Sequence, residues 1–136
     1  MSETNRNALR KVLAFAAIVE GGTGLVLMIN PALVAILLLG VEVSGAGTLL
    51  GRCFGIALLA LGLACWPGRQ RADGGSPAFR AMLTYNALIA VYLAYLGTAG
   101  HLWGVLLWPG AALHALVALL LVWTGRVEQQ AQAAIR

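Results

Sequence analysis

Charge is what this chain has least of. Asp, Glu, Lys and Arg make up 10% of its 136 residues, against about 25% in soluble domains. A single aspartate, Asp73, is present, and no Ser/His/Asp or Cys/His arrangement suited to hydrolysis can be assembled. Cysteine is scarce too. Cys53 and Cys65 stand twelve positions apart on one predicted helix, about 18 Å along its axis, so they cannot pair and read as small packing residues. Structural zinc needs tetrahedral Cys/His clusters, which are absent from the sequence. The chain is therefore expected to be non-enzymatic and to need no cofactor.

What it has in abundance is apolar sequence, with 60% hydrophobic residues and a mean hydropathy of +0.85. A helix needs about 20 apolar residues to cross a bilayer. Four such stretches occur, at about residues 12–29, 46–66, 78–96 and 102–123. They fill nearly the whole length and leave no room for a soluble catalytic domain. The expected fold is all-α: one transmembrane domain over residues 1–136, a four-helix bundle with lipid as its surroundings. Asn30-Pro31 stops the first span, because proline removes a donor and disfavours helix at the residue before it. The apolar residues 32–40 are too short to cross and are expected as a short interfacial helix. Pro67-Gly68 stops the second span, and residues 67–77 form a breaker-rich loop. Pro109, inside the fourth span, should free a carbonyl near Val105. Broken helices can line binding sites, although prolines also occur in ordinary membrane helices. The tail from residue 125 is expected as a short polar helix or a disordered segment.

The net charge of +4 does not point to nucleic acid, because the basic residues alternate with the spans. Arg6, Arg10 and Lys11 precede the first span. Arg69, Arg71 and Arg80 follow the second, and Arg126 and Arg136 follow the fourth. Residues 97–101 carry no Lys or Arg. The positive-inside rule then puts both termini in the cytoplasm of a multi-pass protein. Trp66, Trp103 and Trp123 sit near span ends, where an aromatic belt would hold them. The first apolar run could also be a signal peptide, but it is long, interrupted by Glu20 and without an A-x-A site, which favours an uncleaved span.

Each span carries one conspicuous polar group: Glu20, Arg52, Asn86 and His114. At 1.5 Å per residue, Glu20, Asn86 and His114 lie about 13, 10 and 14 Å from the inner boundary, and Arg52 about 9 Å from the outer one. Glu20 shares its stripe with Ala16 and Gly24, His114 with Ala111, Ala115 and Ala118, and Asn86 with Ala90 and Ala94. Small residues mark close helix contacts, so the four groups are expected to gather at one centre. Such a centre could be a structural knot in which Glu20 pairs with Arg52 or stays protonated, Arg52 being long enough to point inward to Glu20 or outward to the headgroups. The sharper alternative is a proton or cation site, since intramembrane carboxyl groups are costly and tend to be functional. Gly47, Gly51 and Gly55 form a helix-packing stripe whose partner lies within the chain or on another subunit. His101 and His114 are thirteen residues apart, about 20 Å along a helix, too far to ligate one haem within a subunit. Mixed ligation with Met28 or Met82, or a site across a dimer, is left open.

Two resemblances follow from these residues. AAIVEGG (residues 16–22), in a chain of four spans, resembles the small multidrug resistance transporters, which implies proton exchange at the glutamate of the first helix. RCFGIALLALGLACW (52–66), YNALIAVYLAYLG (85–97) and LLWPGAALHAL (106–116) together resemble small bacterial four-helix membrane proteins of the DoxX-like kind. That resemblance covers most of the chain and implies a four-helix bundle in a bacterial inner membrane. The leading expectation is an accessory or assembly protein that packs in the bilayer with itself or with other membrane subunits, without nucleic acid. The alternative is a proton-coupled carrier of small or lipophilic molecules using Glu20. The third is a haem- or quinone-associated subunit.

Overall fold

The computed structural model describes residues 3–67 and 75–133; Arg69, Arg71 and Arg136 lie outside these. Among the described residues there are five helices and no strand: α1 (Glu3–Ile29), α2 (Pro31–Leu39), α3 (Ala46–Ala64), α4 (Pro77–Thr98) and α5 (Leu107–Ala133). Four of them, all but α2, are long and apolar enough to cross a membrane, as expected of a multi-pass membrane protein. Only 17% to 33% of each span is buried by the rest of the chain, so most of each helix faces outward. That suits a solvent as apolar as the side chains themselves.

Local chemistry sets the boundaries. Asn30 ends α1 and caps α2, its Oδ1 accepting from the Leu33 N–H at 3.1 Å, and Pro31 follows at the first helical position, where a missing N–H costs nothing. Gly40 closes α2 in the left-handed region at φ 73°, a conformation that suits glycine. Ser76 caps α4 through its Oγ, which accepts from Phe79 N–H at 3.2 Å.

The fourth span differs from its predicted course. Residues 101–104 are not helical and α5 begins at Leu107. Leu106 N–H donates to Leu37 O at 2.8 Å, and Gly104 passes so close to the Leu38 backbone that a side chain there would overlap it. The end of α2 thus holds this stretch in an irregular path. Pro109 consequently falls in the first turn of α5, where backbone N–H groups have no intrahelical partner anyway, and no carbonyl is freed in mid-helix. At the other end, residues 125–133 continue α5 without a break and bury Gly125 and Glu128, so the segment expected as a short polar helix or a disordered tail is an extension of the span. Likewise α1 starts nine residues before its predicted span and buries Leu9 completely.

The helices pack chiefly as two pairs, α1 with α3 and α4 with α5, and the pairs meet mainly where α1 crosses α5. The first pair is built on glycine. A Cβ on Gly24 would lie 2.7 Å from Gly55 O, and one on Gly55 would lie 2.7 Å from Gly24 O. A Cβ on Gly62 would lie 2.7 Å from Ala17 O. Backbone therefore touches backbone along Gly55 and Gly62, and Gly51 extends the stripe against Pro31. In lipid, where no hydrophobic effect joins helices, such close approach is what holds them. The partner of the predicted stripe is thus inside the chain. Gly47 is not part of it, lying exposed with only the Val43 side chain nearby, while Gly62, outside the predicted repeat, is.

Two apolar clusters line the interior. One joins Leu9, Leu13, Ala16 and Ala17 of α1 to Cys65, Phe79, Met82, Val117 and Leu121. The other joins Leu93, Leu107 and Ala111, with Leu38 and Leu39 packed on it. On α4 and α5 a gap separates them, between Met82 and Leu93 and between Ala111 and Val117, and polar residues fill it.

Gly62→Val should lower stability by about 1–3 kcal/mol, the range for overpacking a close contact. Gly22→Ala, with nothing within 4 Å of its Cβ, should not lower it. Unfolding titrations in mixed detergent micelles measure both.

A candidate functional site of buried polar residues

Glu20 belongs to the inward stripe of α1, together with Leu9, Leu13, Ala16, Gly24 and Leu27. These positions recur every three or four residues, so one side of the helix is buried along its length. The same spacing turns Asn86 inward on α4, between Met82 and Leu93, and His114 on α5, between Ala111 and Val117. Glu20 and Asn86 are only 1% exposed each.

The three groups meet. His114 Nδ1 lies 2.8 Å from Asn86 Oδ1 and 3.5 Å from Glu20 Oε1. Asn86 Nδ2 donates to Met82 O at 3.0 Å, one turn back on α4, which satisfies the amide and fixes its orientation. Tyr85 completes the centre. Its ring meets the His114 ring edge-on, with centroids 5.8 Å apart and planes at 79°, and Tyr85 and Asn86 neighbour the Glu20 carboxyl. Even so, Glu20 Oε1 is fully buried without a hydrogen-bond partner. An unsatisfied buried acceptor costs about 1–3 kcal/mol, and that makes this oxygen the atom most in want of a proton or a donor. A carboxyl, an imidazole and a phenol side by side can hold and relay protons.

Arg52 does not join them. It lies exposed on α3, and the basic side chain near Glu20 is His114. The cause is the glycine stripe: with Gly51, Gly55, Leu58 and Gly62 turned to α1, Arg52 shares the outer face with Leu49 and Ile56, both exposed. A long side chain there can extend along the helix to the membrane surface. Sequence reasoning missed Tyr85, since a tyrosine in a membrane helix passes as an apolar residue. Its position beside Asn86 was the available signal.

Among the described residues no group of three or more His, Cys, Asp or Glu could hold a metal ion. His101 is exposed in the loop before α5, Cys53 is exposed, and Cys65 is buried with its thiol toward Ala78 O at 3.6 Å.

His114→Leu and Asn86→Leu should each cost about 1–3 kcal/mol by leaving the other partner buried and unsatisfied. The double variant should cost less than the sum. Arg52→Leu should stay within about 0.5 kcal/mol of the parent. A double-mutant cycle of unfolding free energies checks all three.

No family model matches this chain, and neither does any curated protein or solved structure.

Proposed function

We propose that this protein is a proton-coupled carrier of small or lipophilic molecules and that Glu20 is its proton-binding group. The observation that carries this reading is the Glu20 carboxyl, buried inside the helices with Oε1 unpartnered and with His114 and Tyr85 beside it. A purely structural knot would be expected to satisfy its acceptors, as Asn86 is satisfied. Apolar clusters lie on either side of the centre along α4 and α5. Residues 16–22 resemble the corresponding stretch of small multidrug resistance transporters, which points the same way. By the distribution of basic residues both termini face the cytoplasm, and the resemblance to DoxX-like proteins implies a bacterial inner membrane.

A second reading, the accessory or assembly subunit, is favoured by α3. This helix packs chiefly on α1 and leaves Leu49, Leu50, Phe54, Ile56 and Leu63 exposed, a face open to lipid, to a second copy or to another subunit. The glycine stripe no longer supports that reading, because α1 occupies it. A haem- or quinone-associated subunit is the third, and the absorption spectrum of the protein from native membranes tests its haem form.

The deciding experiment reconstitutes the full chain in vesicles, imposes a pH gradient and follows uptake of a panel of lipophilic cationic and neutral dyes. Glu20→Gln should reduce uptake to the level of empty vesicles while leaving the helical circular dichroism unchanged. Equal uptake by the parent and Glu20→Gln ends the carrier reading. A partner extracted in fixed ratio under mild detergent would put the accessory reading in its place.

A further inference from the structure

The polar centre contains one group whose hydrogen can sit in two places, and its neighbours decide which. Asn86 Nδ2 donates to Met82 O at 3.0 Å; reversing the amide would set its oxygen against that carbonyl oxygen. Oδ1 is therefore the atom that faces His114, 2.8 Å from Nδ1. An amide oxygen only accepts, so a hydrogen bond of this length requires the hydrogen on Nδ1. The same Nδ1 lies 3.5 Å from Glu20 Oε1, but its hydrogen is committed to Asn86, which leaves Oε1 without a hydrogen-bond partner.

We propose that Asn86 is a positioning residue that locks His114 with its hydrogen on Nδ1, leaving only the Glu20 carboxyl and His114 Nε2 to take up a proton. This rests on the proton-binding role proposed for Glu20. One added proton then has two homes. It can give a neutral carboxyl beside a neutral ring, or a carboxylate beside a ring protonated on both nitrogens. Either way one proton is bound and one negative charge is neutralised. Nδ1 never becomes a bare acceptor beside Glu20, so the acid can be filled and emptied without the ring exchanging tautomers. Neutral imidazole in water prefers its hydrogen on the other nitrogen, so the lock is a real choice made by the fold.

The other groups around the centre leave this assignment intact. From α4 comes Tyr85, whose ring packs against the imidazole at 79°. From α1 comes Glu20 alone. Residues 31–39 of α2 include nothing that titrates, and on α3 Arg52 and Cys53 are exposed.

The test is solid-state NMR of the full chain, labelled with ¹⁵N-histidine, in lipid bilayers, with His101→Gln to remove the second histidine signal. In the neutral form Nδ1 should appear protonated and Nε2 bare; Nδ1 bare overturns the proposal. Asn86→Leu should move the tautomer ratio toward the Nε2-protonated form by about tenfold, the contribution of one hydrogen bond, whereas Asn86→Asp, which keeps an acceptor, should retain the Nδ1 hydrogen. A folded Asn86→Leu protein that still holds the hydrogen on Nδ1 also overturns it. Should Asn86→Leu fail to fold, the parent spectrum decides alone. Nδ1 bare in a protein with Glu20-dependent uptake removes this inference and spares the carrier. Nδ1 protonated in a protein without such uptake supports the lock and removes the carrier.

Discussion

A carboxyl group inside a membrane has to be surrounded by groups able to receive it, and that requirement relates the second half of this chain to the first. Glu20 is carried by α1; what it meets is carried by α4 and α5. The contact of His114 with both Glu20 and Asn86 ties the two helix pairs at the level where their apolar clusters part. On one side of that level the pairs meet through apolar side chains that could slide or repack. At the centre they meet through directed bonds, which set both the depth and the rotation of α5 against α1.

The first pair is held in a different way. Gly24 and Gly55 bring two backbones into reciprocal contact, and Gly62 repeats the approach against Ala17 and Gly21. This seam is tight but carries no charge or strong hydrogen bond. The molecule thus joins a dispersion-held pair to a pair that contains a polar network, and Glu20 is where the two kinds of adhesion meet. A protonation change at Glu20 would act on the junction between the pairs and leave the seam within the first pair unaltered.

Much of this was legible in the sequence. Long apolar runs interrupted by Asn30-Pro31 and Pro67-Gly68 mark the spans, because in lipid the backbone must satisfy itself and breakers are conspicuous. Small residues one turn from Glu20 and His114 identified the faces that turn inward. The reading failed where the deciding contact was tertiary. Leu102 and Trp103 read as the start of a span, yet the end of α2 claims the backbone just after them through Leu37 and Leu38. Arg52 looked like the natural counterion of Glu20, but a glycine stripe and a long cation cannot share one helix face. Tyr85 was overlooked because hydropathy scores its ring and ignores its hydroxyl, and Gly62 because it stands seven residues, not four, beyond Gly55.

The order of contacts along the chain also bears on synthesis. The seam between α1 and α3 needs nothing encoded after α3, so it can close while the rest of the protein is still unmade. Glu20 then waits in the bilayer until α4 delivers Tyr85 and Asn86 and α5 delivers His114. A truncated product would keep an acid without its partners in the membrane, whereas the finished one encloses it. The enclosure of Glu20 is thus completed only once α5 is in place.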